Sequence, residues 1–217
     1  MEMKYPVTNY KGILLRTYKS GVQGKAADIF TSDAGRILVY IPKNVILKCG
    51  AGGTIPLSVL QFTVTGTADH PVMVQYESRK ILDMMALSYE DMQYWYYVIE
   101  LAEELFPPQQ ENFEAYEILK YGLREAEERN KMMTAFIIAV KLLLKAGFDP
   151  AETSVMKELE LSVPAQEFLK KCSFYHWGNG FHEAVKNKIF KEAAAYVDHF
   201  ILQYCDLELK TKGIFSK

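Results

Sequence analysis

Hydrophobic and polar positions repeat with two different periods along this 217-residue chain. The first eighty or so residues alternate with a period near two, the signature of strands with one buried face. Tyr10 to Tyr18 alternates in part and is rich in β-formers. Ala27 to Thr31 runs into Ser32-Asp33-Ala34-Gly35, a turn signal, and Arg36 to Ile41 follows at once. That pair predicts a hairpin. After Pro42 comes an irregular stretch containing Cys49-Gly50-Ala51-Gly52-Gly53, in which the sequence predicts a flexible connection. Leu60, Phe62 and Val64 then alternate with Gln61, Thr63 and Thr65. Gly66 to Pro71 forms a turn, and Val72, Val74 and Tyr76 alternate again. Five short strands with closely spaced turns suggest a small barrel.

From about Lys80 the period lengthens to roughly 3.6, that of an α-helix. Ser88 with Asp91 resembles a capping box opening a helix that carries Tyr89, Met92, Tyr96 and Ile99, with Trp95, Val98 and Leu105 as a neighbouring stripe. Pro107-Pro108 stops it. Asn112 caps a second helix through roughly Glu128. A third, Lys131 to Ala146, is apolar nearly all round and ends at Gly147, so it should be the buried centre of a bundle. Ser162, with Pro164 in the first turn, opens a short helix through about Cys172. A long final helix places Phe181, Val185, Ile189, Ala193, Val197, Phe200, Tyr204 and Leu207 along one face.

Charge divides where the period changes. Lys and Arg total 25 against 27 Asp and Glu, a net of −2. Residues 1–80 carry ten basic and five acidic side chains, net +5, and the remainder is net −7. A mildly basic strand region before an acidic helical one is compatible with polyanion binding, although small domains often differ this much. Several chemistries find no foothold. Cys49, Cys172 and Cys205 stand singly, so neither a disulfide framework nor a thiolate zinc site is expected. Among His70, His176, His182 and His199, only His182-Glu183 begins like a metalloprotease pair, and Lys186 stands where the second ligand belongs. Gly50 to Gly53 leads into a strand rather than a helix, so it does not read as a phosphate loop. Tyr94-Trp95-Tyr96-Tyr97 could stack bases, but at helical spacing it more naturally packs inside. No apolar run nears the roughly 18–20 residues that span a bilayer. The chain therefore reads as a soluble, cytoplasmic, non-enzymatic protein with no cofactor and no metal.

Tyr10-Lys11-Gly12-Ile13-Leu14-Leu15-Arg16-Thr17, followed by Asp28-Ile29-Phe30-Thr31-Ser32-Asp33-Ala34-Gly35-Arg36-Ile37, resembles the opening of the bacterial recombination and repair mediator family RecO. Leu60-Gln61-Phe62, the aromatic helix Tyr97 to Pro107, Asn112-Phe113-Glu114, Leu143 to Pro150, and Tyr204 to Lys212 are similar to later family elements in the same order. The resemblance implies an α+β chain: an N-terminal OB-fold β-barrel, residues 1–80, that binds DNA, and an all-α helical domain, residues 81–217, that binds partners. It implies binding of single- and double-stranded DNA, strand annealing, association with RecR, contact with the C-terminal tail of single-strand binding protein (SSB), and indirect help to RecA. It also implies association with the nucleoid during repair. Arg16 and Arg36 fall on positions matching the family's opening. Lys19, Lys25, Lys43 and Lys48 join them as expected phosphate contacts on charge and loop placement.

Two departures matter. Many members carry a strongly basic loop where this chain has Val39 to Lys48, with two lysines and added aliphatics; burial of Val45, Ile46 and Leu47 as a sixth strand is expected there. The four zinc-binding cysteines of many members are absent. The alternative is therefore a RecO-derived protein–protein adaptor with weak or lost DNA binding. An acidic tail ending in an apolar residue needs a hydrophobic pocket rimmed by cations, for which Lys131, Lys141, Lys145, Lys170, Lys171, Lys186, Lys188 and Lys191 are available.

Overall fold

In the computed structural model, residues 7–21, 23–179 and 185–217 are described. The chain is α+β: five strands with one short helix inserted among them, then six further helices among the described residues. The strands are β1 (Thr8–Lys19), β2 (Gly24–Thr31), β3 (Arg36–Pro42), β4 (Ser58–Gly66) and β5 (Pro71–Lys80). β1 pairs antiparallel with both β2 and β4, β2 with β3, and β4 with β5. A parallel pairing at Tyr40 and Val72 joins β3 to β5, so the order β1-β2-β3-β5-β4 closes on itself.

Leu14, Ile29, Val39, Leu60, Phe62 and Met73 fill the interior, as the period-two pattern requires. Each gains about 1.5–3 kcal/mol from burial, which offsets the ordering of the strand that carries it. Two bulges break the alternation. In β1, Leu14 faces Ile29 but Arg16 faces Asp28, so Leu15 is an extra residue. In β5, Gln75 faces Thr63 and Met73 faces Val64, so Val74 is extra and lies 41% exposed. The expected inward set Val72, Val74 and Tyr76 is thereby replaced by Met73 and Tyr76. An inserted residue flips every later side chain to the other face.

The expected sixth strand does not form. Lys43–Cys49 is a short helix, α1, which buries Val45 in the interior and leaves Leu47 75% exposed. The closed ring already pairs β3 and β5 on both sides, so a further strand has no ladder to join. The glycine run is likewise no loose connection. Ala51–Thr54 is a 3-10 turn with Gly53 buried against Tyr76, whose hydroxyl donates to the Gly50 carbonyl.

The β2–β3 turn needs Gly35. Its φ is +66°, and a Cβ there would sit 2.0 Å from the Gln110 carbonyl oxygen, a backbone atom that cannot swing away. Gly35→Ala is expected to cost about 2–4 kcal/mol, from left-handed strain and overpacking together. A shift of the urea midpoint corresponding to less than about 1 kcal/mol would contradict this.

Spatial clustering gives two compact units. The first runs to Ala86 and takes in Phe106–Leu123; the second comprises Leu87–Leu105 and Arg124–Lys217. Phe106–Leu123, grouped with the helices by period, packs with the strands. Phe106 meets Phe30 edge-on at 5.5 Å, and Gln109 N donates to the Arg36 carbonyl at 2.8 Å.

The remaining helices are α2 (Tyr89–Leu105), α3 (Phe113–Glu128), α4 (Lys131–Lys145), α5 (Thr153–Glu158), α6 (Val163–Ser173) and α7 (Asn187–Tyr204). The caps at Ser88 and Asn112 act as the sequence predicts, Ser88 Oγ accepting from Asp91 N and Asn112 Oδ1 from Ala115 N, and the structure adds a third, Asn130 Oδ1 accepting from Met133 N. α4 is the buried centre of the second unit, and its Phe136 contacts Phe168, Phe190 and Phe215 at 5.1–5.8 Å. α2 buries Trp95, Tyr97, Val98 and Ile99, while Tyr89 and Tyr96 face solvent. The six residues of α5 are too few to show a period. Phe181, expected in the last helix, lies outside the described residues. No helix among the described residues is long and apolar enough to cross a membrane.

Candidate nucleic-acid interface

The face of β1, β2 and β3 turned away from the interior carries three rows, fixed by register. Tyr18, Ala26 and Tyr40 form one row, Arg16, Asp28 and Leu38 the next, and Ile13, Phe30 and Arg36 the third. The Leu15 bulge creates the first of these. Without it, Tyr18 would share the phase of Leu14 and point inward. Tyr18 is 44% and Leu38 56% exposed. Two tyrosines flank an alanine across three strands, Tyr18 exposed and Tyr40 half-buried, and a planar base can stack on such rings whatever its identity. A concavity of about 390 Å³ runs along this platform, lined by Tyr18, Ala26, Asp28, Arg36, Leu38 and Pro108 among others.

Cations gather at the hairpin end of these strands, where Lys19 and Lys25 share the register row of Ile41 and so the opposite face from Tyr18, Ala26 and Tyr40. Lys19 lies directly across from Lys25, and the Lys43 backbone N donates to the Gln23 carbonyl at 2.7 Å, which ties the start of α1 to the β1–β2 hairpin. Like charges placed directly opposite destabilise a strand pair, so the Lys19–Lys25 juxtaposition carries a standing cost that a bound anion would relieve. Lys19 and Lys43 are exposed and Lys25 is half-buried.

Arg16 and Arg36 are placed differently. Arg36 Nε pairs with Asp28 Oδ2 at 3.2 Å, with both side chains largely buried, and its Nη1 donates to the Phe106 carbonyl at 3.1 Å. The guanidinium therefore clamps β3 to the 106–110 segment. Arg16 faces the same Asp28 across the strand pair. Both arginines edge the tyrosine platform, but a partly buried, paired guanidinium gives up its carboxylate only at a cost.

Lys48 lies elsewhere. With Lys11, Cys49 and Tyr76 it lines a second concavity of about 660 Å³, which also holds Asp33 and Glu77 and so is mixed in charge. Here Thr63 Oγ1 donates to Asn9 Oδ1 at 2.7 Å and accepts from Gln75 Nε2 at 3.3 Å, a polar ladder across β1, β4 and β5. The six expected phosphate contacts thus divide into two platform arginines, three lysines at the hairpin end, and one remote lysine.

In the second unit, the lysines considered for a partner pocket lie on α4, α6 and α7. Lys141 Nζ donates to the Ser173 carbonyl at 3.1 Å and lies 6.0 Å from the Trp177 ring centroid. Burial, and then Lys145, hold its pKa below the ordinary lysine value. Lys170 and Lys171 stand in the last turn of α6, beside Phe174, which is 76% exposed. Lys186, at the N-cap of α7, Lys188 and Lys191 are exposed at the start of that helix, and Lys131 opens α4.

His70, His176 and His199 are exposed, and His182-Glu183 lies outside the described residues. Cys172 is fully buried and its thiol pKa is pushed far up by desolvation; Cys205, half-buried, is pushed up to about 11. Among the described residues no group of three or more His, Cys, Asp or Glu side chains could hold a metal ion. Of the Tyr94–Tyr97 run, Trp95 and Tyr97 are buried and Tyr94 stacks on Phe215 at 5.1 Å. The aromatics on the platform, Tyr18 and Tyr40, were not singled out from sequence. Their strands were legible; Tyr40 faces outward by plain alternation with Val39 and Ile41, but the facing of Tyr18 depends on a bulge that carries no glycine or proline to announce it. No family model matches the chain, and no curated protein matches it.

Proposed function

We propose that the strand unit is an OB-fold barrel that binds single-stranded nucleic acid across the outer face of β1–β3, in a protein resembling the repair mediator RecO. The strand order 1-2-3-5-4, with a helix between the third and fourth strands, supports the barrel assignment. The observation that carries the binding reading is the Tyr18–Ala26–Tyr40 row, with Lys43 beside Tyr40 and with Lys19 and Lys25 one register position further on at the strand ends. Bases stack on the rings while the lysines replace counterions along the phosphates, which gives sequence-tolerant and salt-sensitive binding. In this reading the chain performs no catalysis.

Anisotropy of a labelled single-stranded oligonucleotide across a salt series tests the proposal. Converting Lys19, Lys25 and Lys43 together to Gln should flatten the log–log salt slope by about 2, at about 0.7 per phosphate for single strands. Absence of salt-dependent binding by the unaltered protein at low ionic strength would sink it.

The resemblance extends the proposal to duplex binding, strand annealing and, with RecR, the loading of RecA onto SSB-coated DNA in the nucleoid. For the SSB tail, the supporting features are exposed Phe174, the Lys170 and Lys171 side chains in the last turn of α6 just before it, and Lys141, which reaches the Ser173 carbonyl at that helix end. The second reading, an adaptor with little DNA affinity, is favoured by the engagement of Arg36 with Asp28 and Phe106, which removes a phosphate contact. Capture of RecR or an SSB-tail peptide, without salt-dependent DNA binding, would select it.

A further inference from the structure

We infer that the concavity between the β1–β2 hairpin, the end of β3 and α1 is a pocket for one unstacked nucleobase of a bound single strand. It encloses about 660 Å³ and is lined by Gln23, Tyr40, Pro42, Lys43, Asn44 and Leu47. These six side chains supply the elements a base requires. Tyr40, Pro42 and Leu47 offer an aromatic ring and two aliphatic surfaces for the faces of a heterocycle. Gln23 and Asn44 carry amides, each with both a donor and an acceptor, suited to a base edge. Lys43 supplies a cation for the adjoining phosphate.

The ring is preset. A Cβ on Gly24 would lie 2.6 Å from two Tyr40 ring atoms and 2.5 Å from the Ile41 carbonyl oxygen, so Tyr40 rests on bare backbone that only glycine provides. The Lys43 backbone N is already committed to the Gln23 carbonyl. Recognition in this pocket therefore falls to side chains rather than to the helix end. Leu47, 75% exposed on α1, is an aliphatic surface that the fold itself does not cover.

The pocket adjoins the platform, because Tyr40 belongs to the Tyr18–Ala26–Tyr40 row and also lines the pocket beside Lys43. A strand crossing the platform can turn one base out of its stack into the pocket while its phosphates stay with the lysines. This inference rests on the single-strand reading above. It adds a base-dependent contribution to a binding mode that is otherwise backbone and stacking.

The test compares an oligodeoxyadenylate with a sugar–phosphate oligomer of equal length that lacks bases, at low salt, using the full chain. The unaltered protein should prefer the base-bearing strand. In Asn44→Ala/Leu47→Ala that preference should fall about fivefold, the lower end of a single stacking contact, with affinity for the base-free oligomer and its salt slope unchanged. Both side chains are exposed, so an unaltered thermal melt is expected; the single variant Asn44→Ala provides the comparison if the double variant is destabilised. An unchanged preference in the variants overturns the pocket and leaves the platform standing. Failure of the unaltered protein to bind either oligomer overturns the single-strand reading and the pocket with it.

Discussion

Replacing Glu100 with alanine is expected to cost about 3–5 kcal/mol of folding stability, the range for leaving buried polar partners of a charge unpaired. Glu100 lies on α2, is 7% exposed, and accepts three hydrogen bonds from one C-terminal turn. They come from Lys210 N at 2.8 Å, Thr211 N at 3.0 Å and Thr211 Oγ1 at 2.6 Å. A neighbouring carboxylate, Asp198, accepts from Gly213 N at 2.7 Å and from the Tyr97 hydroxyl at 2.9 Å. Burial raises the Asp198 pKa despite those two donors. Together the carboxylates hold residues 209–215 so that Phe215 can pack among Tyr94, Tyr97, Phe136 and Phe190. Alanine at position 100 strands two backbone amides and releases that ring. Urea unfolding of Glu100→Ala should show a lower midpoint at unchanged slope, and Glu100→Gln, which keeps one acceptor oxygen, should fall between. In chains ending at Glu208 the Glu100→Ala penalty should largely vanish, because residues 209–217 are the other half of the interaction. A loss below about 1 kcal/mol in the full chain would show that the turn is held by packing alone.

Tyr18→Ala and Tyr40→Ala should each weaken single-strand binding by roughly five- to hundredfold, the 1–3 kcal/mol that a base loses with its aromatic platform. The salt slope should not move, since no phosphate contact is removed. This separates the tyrosines from the lysines, whose neutralisation changes the slope. Tyr18 is 44% exposed on the outer face, so its truncation should leave stability within about 1 kcal/mol. If Tyr18→Ala and Tyr40→Ala bind single strands like the unaltered protein across the salt series, the β1–β3 face is not the binding surface, and the second concavity with Lys11 and Lys48 becomes the place to look.

Period and punctuation in the chain located nearly every element. The hairpin around Ser32 to Gly35, the turn Gly66 to Pro71, and the caps at Ser88 and Asn112 are local chemistry: each is set by residues within a few positions. The all-round apolar character of α4 named it as a core helix for the same reason. α1 was missed because Val45-Ile46-Leu47 suits a strand locally and is helical only because ring closure leaves no ladder for it.

Charge along the chain singled out the basic side chains near the amino end but not their surroundings. Nothing near Arg36 in sequence announces that Phe106, seventy positions on, accepts from its guanidinium, or that Lys19 and Lys25 stand opposed while Lys48 faces another concavity. The tyrosine platform is the plainest case. The residues of β1 determine a strand, but one extra residue at Leu15 decides which face Tyr18 joins, and that choice is made by pairing with β2. Short-range preferences therefore settled the elements and their ends, whereas the facing of Tyr18 on the proposed binding surface waited on long-range register, where a shift of one residue costs little locally and reverses everything beyond it.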